Sequence, residues 1–498
     1  MKKYILSVDQ GTTGTTVIIF NNELKAVGQG YCEVKQIYPK PGWVEHNPKD
    51  ILDSVEKSIE LALKQSQILP KDISSIGITN QRETIISWDP KKTDLKNNSN
   101  HNAIVWQCRR TSDFTEKLKK NKLLSQKIFK TTGLVVDPYF SSSKINWLVE
   151  NKKLGSSDYV GTIDSYLVWT LTGGKSFFTD VTNASRTQLM NLKTLSWDLS
   201  LLKLFKISEK NLPKILPSNA LFGVTKNYKS LPDGIPIHGV IGDQQSALFG
   251  QGAHLDGEAK CTFGTGSFIL MNIGEKVKAS KNKLLTTVAW QLEGQKPKYA
   301  FEGGAFICGA AVQFLRDQFE FFKKSDDVEA LALKANPESQ VICVPAFSGL
   351  GAPYWDPKVK AAYMGLTRGD GKPEMCLATL EAMAMQNVVI LEAMQKDSGQ
   401  KLKHLNVDGG AIKNQLLLQI QSDLLQKKVL KPDMVETTAL GAAMMSGIGS
   451  KFWTEKEVKT LILKNKTIYK PEKNKKWSVS RRARWDRAVA ALRALAAV

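Results

Sequence analysis

Cysteine is scarce in this chain, six among 498 residues, and no two fall in the close pairs that a structural zinc site needs. That spacing excludes a zinc-ribbon or disulfide-framework protein and leaves Cys32, Cys108, Cys261, Cys308, Cys343 and Cys376 as buried reduced thiols. Long apolar runs are lacking too. Asp9 breaks the run Tyr4–Val8 after five residues, short of the roughly 7–15 of a signal-peptide core. No later stretch reads as the roughly 18–20 apolar residues of a membrane span, so a cytoplasmic protein without such a span is expected. Acidic residues are outnumbered, 48 against 69 basic, for a formal net charge of +21. The lysines are spread along the chain rather than bunched with aromatics, so the charge reads as a basic surface and no nucleic-acid partner is expected. The pattern GxxxxGK[ST] is absent, which excludes a P-loop protein.

What is present is the composition of a large globular protein, 42% hydrophobic and 23% charged, too long for one core. The opening stretch, residues 4–30, reads as strand, tight turn, strand, turn, strand, with Gly11-Thr12-Thr13-Gly14 in the first turn. The same grammar returns in residues 259–274, where Gly264-Thr265-Gly266-Ser267 fills the turn between two apolar strands. Two such hairpins some 250 residues apart imply a duplicated core. Helical spacing marks residues 48–65 and 379–394, so each half mixes strands and helices as α/β units do. The turn-rich residues 250–258 mark the boundary, dividing residues 1–252 from 253–498. The chain closes on an Arg/Ala-rich stretch, residues 478–498, expected to be a helix docked on the surface.

Glycine lets backbone N–H groups approach phosphate without a Cβ in the way, and threonine hydroxyls add donors beside them. The recurrence of a Gly-Thr turn therefore points to two phosphate-facing loops across a cleft. Asp9, ending the first strand, suits a hydrated Mg²⁺, which takes one or two carboxylates plus phosphate oxygens. Asp408-Gly409-Gly410-Ala411 lies between a strand and a helix, where a flat ligand such as adenosine can approach closely. Asp243 follows an apolar run, at the strand end where open α/β sheets bind ligands, and a carboxylate there can take a proton from an attacking hydroxyl. Arg82 and Glu83 offer a donor fork and an acceptor for vicinal hydroxyls, and Trp106 or Tyr139 a face for the carbon skeleton. Taken singly, each of these also has an ordinary structural reading, as core aromatic or surface ion pair.

Together the motifs resemble the FGGY carbohydrate kinases. Residues 139–151 (YFSSSKINWLVEN) and 347–369, with the helix that follows, look like the family signatures. The glycerol-phosphorylating branch is suggested by residues 9–13 (DQGTT), 80–84 (NQRET), 106–111 (WQCRRT), 242–251 (GDQQSALFGQ), 407–411 (VDGGA) and 436–443 (ETTALGAA). The resemblance runs over residues 4–450. It implies two actin/Hsp70-like (ribonuclease H-like) domains with ligands in the interdomain cleft, ATP and Mg²⁺ as the nucleotide and its metal, and glycerol as substrate. It also implies assembly into dimers or tetramers. Carried over residue by residue, Arg82, Glu83, Trp106, Tyr139, Asp243 and Gln244 would hold glycerol, Asp243 would be the general base, and Asp9 would position Mg²⁺ through water. Thr12, Thr13, Gly14, Thr265, Gly309, Gln313, Gly410, Ala411 and Asn414 would line the nucleotide site.

The chain departs from the family in two places. Thr16 stands where many relatives carry an arginine, which implies weaker phosphate binding. Residues 225–239 lack the glycine-rich basic loop through which some bacterial members bind fructose 1,6-bisphosphate. They also show no histidine of the type phosphorylated in some Gram-positive members, His238 lying in the apparent strand instead. Kinases of other small polyols or ketoses, such as xylulose, erythritol or dihydroxyacetone, are the near alternative, and a non-catalytic actin-like ATP-binding protein the distant one.

Overall fold

β-Branched and aliphatic residues fill both faces of the first strands, and a strand buried on both faces belongs inside a layered α/β unit. In the computed structural model, which describes residues 3–434, 436–463 and 466–497, that is where they lie. Met1 and Val498, the outer ends of the two expected units, fall outside the described residues. The first sheet is built on β1 (Tyr4–Gln10), β2 (Gly14–Phe20), β3 (Ala26–Glu33), β4 (Ile73–Asn80) and β5 (Pro236–Gly242). Its order is β3-β2-β1-β4-β5, with β1 antiparallel to β2 and parallel to β4, and a short edge strand, Gly223–Val224, beyond β5. The second sheet repeats the plan with β6 (Ala259–Phe263), β7 (Ser267–Gly274), β8 (Lys298–Ala305), β9 (Leu405–Asp408) and β10 (Val429–Pro432). Its order is β8-β7-β6-β9-β10, again antiparallel across the hairpin and parallel beyond it, with Leu285–Trp290 and Lys466–Tyr469 at the edges. Equal order and equal strand directions establish the duplicated core that the two Gly-Thr hairpins implied.

The expected helices form, with ends set by caps. Asn47 accepts from the Lys49 N–H at 2.9 Å ahead of the helix Pro48–Ser66, with Pro48 in its first turn. The helix expected over 379–394 runs further, Lys372–Ser398, because Glu374 reaches back to accept from the Gly371 N–H at 2.8 Å and closes the N-terminus early. By length and composition this helix could cross a membrane, which the sequence reading did not anticipate. However, 78% of its apolar window is buried within the protein, where it forms part of the second sheet's core. The C-terminal helix Lys475–Leu495 docks on the same unit through Trp485, Ala488 and Val489. Its arginines serve that docking: Arg482 pairs with Glu392 at 3.0 Å, Arg493 with Asp356 at 3.0 Å, and Arg481 with Glu381 at 3.7 Å.

The two sheets are joined by a return crossing of the chain. Helix Thr437–Gly449, late in the sequence, packs on β1, β4 and β5 of the first sheet and beside helix Asp243–Gly250. Ser7 Oγ donates to the Ala439 carbonyl at 2.7 Å, and Ser246 Oγ to the Thr438 carbonyl at 2.7 Å. The approach is so close that a Cβ on Gly77 of β4 would lie 2.3 Å from the Ala442 carbonyl oxygen. Gly77→Ala is therefore expected to lower stability by about 1–3 kcal/mol, as overpacking does, read as a lower urea midpoint.

Candidate functional site

The parallel strands of the first sheet end in register: Gln10 pairs with Asn80, and Asn80 with Gly242. The residues at and just past those ends are Asp9, Arg82-Glu83 and Asp243, so hydrogen-bond register alone gathers them at one sheet edge. The same holds in the second sheet, where Thr262 pairs with Asp408 and sets the loop after Phe263 beside Gly409-Gly410. A Cβ on Gly409, whose φ is +94°, would meet the Phe263 backbone at 2.5 Å. Only glycine permits that approach.

Around Arg82 the structure builds a lattice of buried charge. Arg82 donates to both carboxylate oxygens of Glu302, at 2.7 and 3.1 Å, and to Gln245 Oε1 at 3.1 Å. Its Nε lies 3.1 Å from Asp243 Oδ1. Arg186 Nε donates to Glu83 Oε1 at 2.6 Å and its Nη2 to Glu302 Oε1 at 3.1 Å. Glu83 itself is held at φ +62° in a tight three-residue turn, Thr84 N–H donating to the Arg82 carbonyl at 2.7 Å. A non-glycine residue there is strained, and such strain gathers at functional sites. Of these carboxylates Asp243 is the open one, its side chain 28% exposed against 2% for Glu83 and 5% for Glu302.

Environment then separates the acids. Burial opposes ionisation of Glu302, yet Arg186 and Arg82 overcome it and hold its carboxyl at about 2. Burial raises Asp243, and the attraction of Arg82 offsets only part of that. Asp9 is pushed well above the usual carboxylate range by burial and then by the charges of Asp243 and Glu436. Its carboxylate makes no hydrogen bond or ion pair among the described residues. Asp9, pressed by two other acids while the Arg82 guanidinium is turned to Asp243, is a fitting place for a divalent ion. Among the described residues no three acidic, His or Cys side chains form a metal cage, so such an ion would take most of its oxygens from phosphate and water.

Trp106 Nε1 donates to Thr12 Oγ1 at 2.9 Å, and its ring stands edge-on to Tyr139 with centroids 5.5 Å apart. Tyr139 belongs to a loop tied down by Lys144, whose buried ammonium donates to the carbonyls of Pro138, Tyr139 and Phe140 at 2.5, 2.6 and 3.3 Å. Gln244 donates its backbone N–H to Asp243 Oδ1 at 2.6 Å, and its side-chain oxygen accepts from the buried Lys260. The Trp106–Tyr139 pair adjoins the Arg82–Glu83 turn and its arginines: the Trp106 backbone N–H donates to Thr84 Oγ1 at 3.1 Å, and the Arg186 guanidinium lies 5.8 Å from the Tyr139 ring centroid. Thr265, Gly309, Gln313, Gly410, Ala411 and Asn414 line a separate cavity of about 420 Å³ on the second sheet, with apolar walls from Val312, Leu380 and Met383 among others. Thr12, Thr13 and Gly14 do not line that cavity; Thr12 and Thr13 sit in the loop between β1 and β2 of the first sheet, and Gly14 opens β2. Thr16 is partly buried on β2, opposite Tyr31.

Sequence reading missed Arg186, Glu302, Lys144 and Lys260. For Glu302 and Lys260 a signal was present: each is a charge inside an apolar strand-like run, residues 299–302 (YAFE) and 259–263 (AKCTF), and a charge there must find a partner in the interior. Arg186 and Lys144 stand among serine, threonine and asparagine and carry no such signal.

The profile of the FGGY family of carbohydrate kinases, N-terminal domain, matches residues 4–250, and that of the C-terminal domain matches residues 259–450. The glycerol kinase of Bdellovibrio bacteriovorus is 51% identical over 497 residues, covering 98% of this chain and 99% of that protein. The glycerol kinase of Bacillus cereus is 45% identical over 501 residues, covering 99% of this chain and all (100%) of that protein. The crystal structure of Plasmodium falciparum glycerol kinase with ADP superposes with a TM-score of 0.91 at 35% identity over 98% of each chain. A xylulose kinase from Lactobacillus acidophilus superposes with a TM-score of 0.88 at 24% identity over 99% of each chain, a likeness of fold alone.

Proposed function

The chain belongs to the FGGY family of carbohydrate kinases, and from that premise we infer that it phosphorylates glycerol with ATP, releasing sn-glycerol 3-phosphate and ADP. The observation that carries the reading is the pairing of two unlike sites. One is a hydroxyl-binding cluster with a single open carboxylate on the first sheet; the other is an adenosine-sized, partly apolar cavity beside a Gly-Thr turn on the second. Identity of 51% to a glycerol kinase over nearly the whole chain supports glycerol among the polyols.

In this reading Arg82, Glu83 and Gln244 take the hydroxyls, and Trp106 and Tyr139 cover the carbon face. Asp243 accepts the proton of the terminal hydroxyl as that oxygen attacks the γ-phosphorus. The new O–P bond forms while the bond from the γ-phosphorus to the bridging oxygen breaks in line, and ADP leaves with that electron pair. Thr265, Gly309, Gln313, Gly410, Ala411 and Asn414 seat the nucleoside, and the loop Gly11–Gly14 with Thr12 and Thr13 faces the phosphates. Asp9 would hold Mg²⁺, which when bound offsets the charge of the β- and γ-phosphates. We take residues 1–252 and 253–498 as the two units of the fold. The six unpaired thiols, five of them buried, suit a reducing compartment such as the cytoplasm.

The test is ADP release from Mg·ATP with glycerol, erythritol, xylulose and dihydroxyacetone in parallel. Stimulation by glycerol above the others is expected. A stronger response to another polyol would keep the chemistry and change the substrate, and no response to any would remove the catalytic reading.

A further inference from the structure

Glu302 stands on β8 in the second sheet, paired on one side with Leu270 of β7 and on the other with Leu285 of the edge strand. A ladder on both sides holds its backbone in register. Its carboxylate nevertheless serves the first sheet, spanning the forks of Arg82 and Arg186 at 2.7–3.1 Å. With both Nη atoms of Arg82 so held, the guanidinium cannot turn, and its Nε stays on the Asp243 side. Arg186, held at Nη2, keeps its Nε on Glu83 Oε1 and leaves Glu83 Oε2 with no protein partner among the described residues. Arg186 Nη1 is buried and also unpartnered.

We propose that Glu302 is a positioning residue for the polyol site: from the second sheet it fixes Arg82 and Arg186, and through them aims the Arg82 Nε–H and the Glu83 carboxylate at the substrate hydroxyls. This rests on the reading of the preceding subsection and adds to it a residue that touches no substrate itself. Bidentate carboxylate–guanidinium contacts impose direction as well as attraction. Without the shared carboxylate Arg82 keeps Asp243 and Gln245, and Arg186 keeps Glu83, so the hydrogen-bonded link that sets the two guanidiniums relative to each other is lost. Because the nucleotide cavity lies on other residues of the second sheet, loss of aim affects the polyol and not ATP.

The experiment is steady-state kinetics of Glu302→Gln beside the wild-type chain, varying glycerol and Mg·ATP in turn, with thermal unfolding as the check on folding. Glu302→Gln is expected to raise KM for glycerol by about tenfold or more, the scale of effect a misplaced binding group produces, with KM for ATP within about twofold. An unchanged KM for glycerol, or an equal rise in both KM values, overturns the inference. Should Glu302→Gln fail to fold, Arg186→Lys keeps the charge and removes the fork. It is expected to give a smaller rise confined to glycerol, and a change shared by both substrates overturns the inference. Wild-type chain that fails to turn over glycerol would overturn the functional reading and this inference with it, whereas an active wild type with an unaltered Glu302→Gln removes this inference alone.

Discussion

Asp243→Asn is expected to lower kcat with glycerol by about 10²–10⁴-fold, the range general-base removal produces. The amide keeps the shape of the side chain and a hydrogen-bonding oxygen for the Gln244 N–H, so folding and nucleotide binding should hold. What it loses is a site for the proton of the attacking hydroxyl. The pH profile gives an independent check. Burial places the Asp243 carboxyl above its ordinary range despite the Arg82 guanidinium, and the base works only when ionised. Wild-type activity is therefore lost as pH falls through that raised value, giving an acid limb above the usual carboxylate range, and Asp243→Asn should show the residual rate without that limb. Near-normal turnover in Asp243→Asn, measured by ADP release, would remove the base assignment.

Arg82→Met is expected to be damaging in two ways. Its guanidinium is the cation that pairs with Asp243, and half of the clamp on Glu302. Removing one partner from buried pairs leaves uncompensated charge, which costs about 3–5 kcal/mol, so the denaturation midpoint should drop clearly. Catalysis should fall as well, with kcat/KM for glycerol lower by about 10²-fold or more because a group that orients the hydroxyl is gone. The direction on Asp243 is opposite to that of charge addition: without Arg82 its carboxyl is harder to ionise, and the acid limb moves to higher pH. ADP affinity, read by titration calorimetry, should be unaltered, since the nucleotide cavity contains no part of this lattice. A variant as stable and as active as the wild type would contradict the geometry described for Arg82.

Much of the fold was legible because the sequence repeats a local instruction. The hairpins at residues 4–20 and 259–274 carry the same apolar–Gly-Thr–apolar pattern, and both became the antiparallel start of a five-strand core. Their partners were less visible. β5 begins more than 150 residues after β4, and nothing local to either strand announces that they pair. The crossing of helix Thr437–Gly449 onto the first sheet is likewise a non-local event, signalled only by small residues such as Gly77 and Gly441. Helix Lys372–Ser398 was found but shortened, since its capping by Glu374 depends on a side chain reaching back to Gly371.

The site divides along similar lines. Asp9, Arg82, Glu83 and Asp243 stand at or just past strand ends, where register gathered them on the first sheet, as register set Gly409-Gly410 beside Phe263 on the second. Lys260 and Glu302 could be seen as charges in apolar context, whereas Arg186 and Lys144 stand in polar stretches; the partners lie 100 or more residues away for Arg186–Glu83 and Arg82–Glu302, beyond reach of local pattern. The strained turn at Glu83 was invisible for another reason. Glutamate at φ +62° runs against its own preference, and only the surrounding lattice holds it there.

The most direct test of the whole account is a crystal structure of the chain with glycerol and a non-hydrolysable ATP analogue. The account predicts a terminal glycerol oxygen within hydrogen-bonding distance of Asp243, the other hydroxyls on Arg82 and Glu83, and adenosine in the cavity lined by Gln313, Gly410 and Asn414. Glycerol bound away from Asp243, or a γ-phosphate out of line with its hydroxyl, would contradict it.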